Sequence, residues 1–176
     1  MRPLRERPAT WRAGVLAGVL LAGALALGAC SGPGPVRIDV PTAPGAMFDF
    51  QDMRPAEQRS DRGRFDESGD RITLGERDLE PPPATLFRSW FARKLPPSFA
   101  GRTVVLHSFV VMVPSAMADR ATPVEVHIAG SVGGQRFSAE ARNDIGNTTR
   151  ADINATIVEA LNGSIREATL LLEKAR

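Results

Sequence analysis

Between Val124 and Arg142 the chain changes character at nearly every residue. Val124, Val126 and Ile128 are apolar with Glu125 and His127 between them, and Phe137, Ala139 and Ala141 resume the pattern after Gly133-Gly134. Neighbouring side chains of a strand point to opposite faces, so this alternation calls for a sheet with one buried and one wet face. Two glycines between such runs call for a tight hairpin turn. Something apolar must then cover the buried face, and two segments have the period to do it. Leu86 with Trp90 and Phe87 with Phe91 are pairs four apart, with Arg88 and Arg93 off their stripe, after Pro81-Pro82-Pro83 and before Pro96-Pro97. That spacing predicts a helix with an apolar face, better suited to core packing than to a ligand groove. Ile153, Ile157, Leu161, Ile165, Ala168 and Leu172 predict a second helix, opened by Thr149-x-x-Asp152 as a capping box with Asp in place of Glu. Asn162-Gly163 falls inside it and is expected to weaken or kink it, by about 1 kcal/mol.

Further strands are predicted at Met47 to Gln51, at Ile72 to Leu74, and at Thr103 to Val113, which is rich in β-branched residues and closed by Pro114. The order β-loop-α-β-β-β-α predicts an α+β domain, an antiparallel sheet with two helices packed on one face. Glu57 to Arg71 alternates charges with glycine and holds one large apolar residue, Phe65, so a flexible solvated loop is expected there. Asp66, Ser68 and Asp70 lack the glycine and terminal Glu spacing of a calcium-binding EF-hand loop.

The N-terminal part has a different logic. Arg2, Arg5, Arg7 and Arg12 precede Ala13 to Ala29, 17 uncharged residues that include four glycines, and then Cys30, the single cysteine. A membrane span needs about 20 apolar residues, whereas a basic head, a short apolar run and small residues at a cut site mark an export signal. Leu27-Gly28-Ala29-Cys30 resembles the bacterial lipobox, with Gly28 where Ala or Ser is commoner. That resemblance implies cleavage before Cys30, a diacylglycerol on its sulfur, usually an acylated amine such as a palmitate amide, and insertion of Cys30 into a lipid bilayer. With Ser31 rather than aspartate after the cysteine, it further implies the periplasmic side of the outer membrane. Each buried methylene contributes about 0.8 kcal/mol, so two or three chains hold firmly where one does not. The expected organisation is a signal peptide at 1–29, a lipidated Cys30 with a Pro/Gly-rich tether at 30–46, in which Val36, Ile38 and Val40 could form a short edge strand, and one α+β domain at 47–176.

Removing residues 1–29 takes four Arg and one Glu from totals of 22 basic and 20 acidic residues, leaving 18 and 19, a charge of −1. The basic balance therefore belongs to the leader and gives no argument for nucleic acid. With Cys30 lipidated, no thiol remains for a disulfide or a nucleophile. No GxSxG, HExxH, phosphate loop or CxxC occurs, so no catalytic, cofactor-binding or metal-ligating residue is assigned. His127 shares a strand face with Glu125, and these two, with Trp90 and Phe91 of the aromatic stripe, are the candidate partner surface.

Phe48 to Pro55, Arg77-Asp78-Leu79 through Leu95, Thr103 to Val113, the Val124 to Ala141 hairpin and Asp152 to Leu172 together resemble the YajG-type bacterial lipoproteins in segment order. This chain has Pro96-Pro97 where that family often carries a Gly-aromatic pair. The layout is also similar to the auxiliary lipoproteins of ABC-type transporters, although this chain contains no Tyr. The first resemblance implies a location and a fold; the lipid anchor, the compact domain and the missing catalytic motifs make the expected function a non-enzymatic envelope binding or scaffolding module whose partners are envelope proteins, peptidoglycan or another copy of itself. The second, with the Leu86, Phe87, Trp90 and Phe91 stripe as its main support, implies an accessory subunit for lipid or solute transport.

Overall fold

A computed structural model describes residues 34–40, 47–116, 118, 122–144 and 149–174; the expected signal peptide, Cys30 and part of the tether lie outside them. In chain order the strands are β1 Val36–Arg37, β2 Asp49–Asp52, β3 Arg64–Phe65, β4 Arg71–Thr73 and β5 Leu79–Glu80. Helix α1 is Pro83–Lys94, followed by β6 Thr103–Pro114, β7 Val124–Val132, β8 Gln135–Asn143 and α2 Arg150–Lys174. The α+β class holds, with both helices packed against a mostly antiparallel sheet.

The long strands form as their alternation dictates. β7 and β8 pair antiparallel from Val124↔Asn143 to Val132↔Gln135, closed by Gly133 and Gly134 at φ 54° and 85°. Both angles are positive, which glycine tolerates and a type I′ turn needs. β6 pairs antiparallel with β7, and β4 with β6 and β3. Two pairings depart from the expected antiparallel arrangement. β2 runs parallel to the start of β6, Asp49↔Thr103 to Asp52↔Leu106, and β1 runs parallel to β5. Val36 and Ile38, assigned to the tether, are thereby buried, so folded structure begins ahead of residue 47. The charged stretch read as a loop contains a 3-10 turn at Ala56–Arg59 and strand β3.

Covering the sheet are the two periodic helices. Leu86, Phe87, Trp90 and Phe91 of α1 and Ile157, Ala160, Leu161 and Ala168 of α2 all belong to one buried cluster with Val104, Leu106, Val126, Ile128 and Phe137. Aromatic rings bridge the sheet. Phe50 of β2 meets Phe87 at 6.0 Å between centroids, Phe87 stacks on Phe91 at 4.0 Å, and Phe91 on Phe137 of β8 at 5.6 Å. The capping box closes reciprocally: Thr149 N–H donates to Asp152 Oδ2 at 2.9 Å and Asp152 N–H to Thr149 Oγ1 at 3.2 Å. The Thr149 hydroxyl donates to the same carboxylate, and these bonds hold the Asp152 carboxyl below its ordinary range. Helix α2 runs unbroken through Asn162-Gly163. Asn162 Oδ1 accepts the Trp90 indole N–H at 3.1 Å, and a Cβ on Gly163 would lie 3.3 Å from that of Ala139, so the pair serves helix–helix and helix–strand contact.

At Gly130 of β7 the flanking strands β6 and β8 leave no room for a side chain. A Cβ there would stand 2.5 Å from Phe137 Cζ and 2.6 Å from the Val105 carbonyl oxygen. The carbonyl belongs to the ladder and cannot swing away, so Gly130→Ala is expected to cost about 2 kcal/mol of stability by overpacking. Urea unfolding followed by far-UV circular dichroism checks it; a midpoint equal to that of wild type contradicts it.

Candidate functional site

Strand β6 carries the irregularity that shapes the outer face of the sheet. Leu106 pairs with Gly130 and Ser108 with Ala129, so His107 is an extra residue, a β-bulge. The alternation shifts phase there: Val104 and Leu106 are buried before it, Phe109, Val111 and Val113 after it. His107 and Ser108 consequently both serve the outer face. His107 Nε2 lies 3.1 Å from Ser131 Oγ, and Ser108 Oγ lies 3.5 Å from His127 Nδ1. On its other side His127 Nε2 meets Ser138 Oγ at 3.1 Å, which joins β6, β7 and β8 through one ring. Gln58, from the 3-10 turn, fills the gap along β6 between β2 and β4. Its amide donates to Ser108 Oγ at 3.1 Å and its carbonyl accepts from the Phe109 N–H at 3.1 Å.

Next to this network Glu125 is held from both sides. Arg71 Nη1 of β4 lies 2.6 Å from one carboxylate oxygen and Arg142 Nη1 of β8 lies 3.7 Å from the other. Arg142 also bonds Asp144 at 2.6 Å, which raises the basicity of its guanidinium. Glu125 and His127 are thus brought together on one half-exposed polar face. Trp90 and Phe91 are not: they retain 6% and 0% exposure beneath the sheet, which removes them from the candidate partner surface. The buried stripe likewise withdraws the feature that favoured a transporter-subunit reading.

No protein-family model, curated protein or solved structure matches this chain. The chemistry of the site therefore has to be taken from its own groups. A hydrolytic relay needs a nucleophile on a base that is itself oriented by an acid. Here His127 is oriented by a hydroxyl, the Ser108 contact is long, and Glu125 is neutralised by two arginines. Among the described residues no three His, Cys, Asp or Glu groups converge as a metal set. What this arrangement offers is a fixed display of donors and acceptors: imidazole, hydroxyls, a carboxamide and paired charges. His107, Ser108 and Gln58 went unassigned from sequence, yet the phase change between Leu106 and Phe109 is a legible signal for the bulge that gathers them.

A second polar cluster supports the other edge of the sheet. The Arg54 side chain is 1% exposed. Its Nε and Nη2 donate to the two oxygens of Asp52 at 2.9 Å each, and Nη2 also reaches Glu76 at 2.8 Å. Nη1 is buried without a partner. This fork clamps the end of β2 to the segment before β5, where Asp78 Oδ2 accepts the N–H groups of Gly63 and Gly75. Burial opposes charge on both Asp52 and Arg54. Their mutual hydrogen bonds and attraction, with Glu76 added on the arginine, outweigh it, holding the Asp52 carboxyl below its ordinary range and the Arg54 guanidinium above its own. A carboxyl depressed by folding stabilises the protein at pH above its unfolded value and loses that contribution as pH falls through its folded value. The stability due to Asp52 is accordingly intact above pH 3.8 and lost below it. Asp52→Asn is expected to destabilise the protein by about 3 kcal/mol near neutrality, because it strips a partner from a buried cation. The difference from wild type should shrink below pH 3.8 in thermal melts; a difference independent of pH contradicts the assignment.

Proposed function

We propose that this chain is a lipid-anchored bacterial envelope protein, held through Cys30 on the periplasmic side of the outer membrane. Its folded domain acts as a non-enzymatic binding or scaffolding module. The reading is carried by one observation: Leu27-Gly28-Ala29-Cys30, behind an arginine-rich head and a short apolar run, places the lone cysteine where a lipobox has it. The binding half of the proposal draws support from the outer face. A partner meeting Glu125 and His127 meets side chains already fixed by Arg71, Arg142, Ser108 and Ser138, so little side-chain entropy is lost on contact. Its hydroxyl, amide and charged groups suit a polar surface such as another envelope protein or a peptidoglycan strand.

Intact mass of the membrane-purified protein, wild type beside Cys30→Ala, tests the anchor. The expected wild-type species lacks residues 1–29 and carries an acyl-sized gain, and the variant lacks both changes. A wild-type chain starting at Met1, or cut elsewhere without added lipid, overturns the proposal. A photo-reactive residue at position 127 of the anchored chain should trap an envelope protein or wall fragment. Failure to form an adduct rules out binding through this face.

A further inference from the structure

Among the described residues strand β8 forms an edge of the main sheet, with β7 as its one strand neighbour. Closing a two-residue turn makes Val132 and Gln135 a hydrogen-bonded pair. Alternation from there directs the backbone groups of Gln135, Phe137, Ala139 and Ala141 to β7, and those of Arg136, Ser138, Glu140 and Arg142 to the open side. Natural sheets usually blunt such an edge with charge. This edge has charge, but of both signs and four residues apart. Among the described residues neither Arg136 nor Glu140 has an ion-pair partner, whereas Arg142 is engaged with Glu125 and Asp144.

We propose that β8 is the pairing edge for a second copy of this chain, joined antiparallel about a two-fold axis through Ser138. An antiparallel pairing must set even-numbered residues opposite even-numbered ones if the outward backbone groups are to meet. Centred on Ser138, it places Arg136 opposite the copy's Glu140 and Glu140 opposite its Arg136. On the inner face it sets each Phe137 opposite an Ala139, large against small. Centred one residue later, on Ala139, it sets Arg136 against Arg142 twice, and centred on Glu140 it sets two carboxylates face to face. Charge thus selects the Ser138 register over its neighbours, and an isologous contact satisfies every outward group once.

The flank of the edge is compatible. A groove of ≈ 550 Å³ lies beside it, lined by Glu140 and by Val158, Glu159, Asn162 and Arg166 of α2. Gly163 rests against Ala139, next to the proposed axis, so Glu159 and Arg166 fall on either side of it. A two-fold would bring α2 alongside its copy in antiparallel sense, with Glu159 facing Arg166. Neither of these residues has an ion-pair partner among the described residues. This inference deepens the reading as a binding module by naming one partner, and it uses an edge of the sheet instead of the network around His127.

The test is disulfide trapping in the full chain, in bacterial membranes, with Ser138→Cys. The paired Cα atoms would be about 5.5 Å apart, within reach of a disulfide. Wild type, whose one thiol is at Cys30, gives the background. Mild oxidation should yield a covalent dimer of the Ser138→Cys chain. Adding Arg136→Glu puts two like-charge pairs across the axis and should reduce trapping about tenfold. Adding Glu140→Arg to that chain restores both opposite-charge pairs and should return trapping to its starting level. Absence of a dimer, attachment of the introduced thiol to a different protein, or indifference to the charge reversals overturns the proposal. Rescue by the double reversal separates pairing from misfolding. Trapping is read as its response to the charge reversals and the anchor as a mass at Cys30, so the two measurements fail separately.

Discussion

The contact on which this architecture depends is the aromatic run from Phe50 through Phe87 and Phe91 to Phe137. It begins on β2 and ends on β8, so the rings of α1 tie one edge of the sheet to the other across its buried face. This sheet has no disulfide brace, since the chain has one cysteine. Its edge strands are joined to the centre on the outer side by backbone ladders and polar side-chain contacts such as His127 to Ser138, and on the inner side by these rings. Stacked aromatic pairs contribute about 1 kcal/mol beyond the area they bury, and here the contribution is geometric as well. With α1 in place, α2 has a fixed trough to lie in, marked by the indole N–H of Trp90 on Asn162 and by Gly163 against Ala139.

What could be read in advance follows the range of each interaction. The hairpin, the stripe of α1, and the capping box at Thr149 and Asp152 depend on residues within a few positions of one another, and the sequence shows all three. The parallel pairings do not. Asp49↔Thr103 joins residues 54 apart, and Val36↔Leu79 joins residues 43 apart. No local pattern encodes such partners, so Val36 and Ile38 read as a tether among prolines and glycines although they are buried. Arg54 shows the same limit in electrostatic form. A charged residue beside Met53 and Pro55 looks solvated, and its burial depends on Glu76 arriving from 22 positions away. Trp90 and Phe91 are legible as a stripe, while their complete burial is not, because that depends on which elements cover them.

The candidate site illustrates an intermediate case. Glu125 and His127 share a face by simple alternation, and the structure keeps them there. Their neighbours come from farther off: Arg71 across β6, Ser108 by virtue of the bulge, and Gln58 from a turn in the charged stretch. A β-bulge adds a residue without adding a pair, so it changes which side chains share a face for the rest of its strand. In β6 this single insertion keeps Phe109, Val111 and Val113 in the core while adding His107 and Ser108 to the polar side. The same residue count without the bulge would turn one of those sets over.

Burial of Val36 has a consequence for reach. In a mature protein anchored at Cys30, five residues would lie between the acylated position and the first strand at Val36, and the six Cα steps, even fully extended, span only about 20 Å. That is shorter than the thickness of a bilayer's hydrocarbon core. Such a leash would keep the domain skimming its own leaflet, so anything it grips would have to come to the membrane surface, and encounters there would be governed by two-dimensional density rather than by concentration in the surrounding fluid.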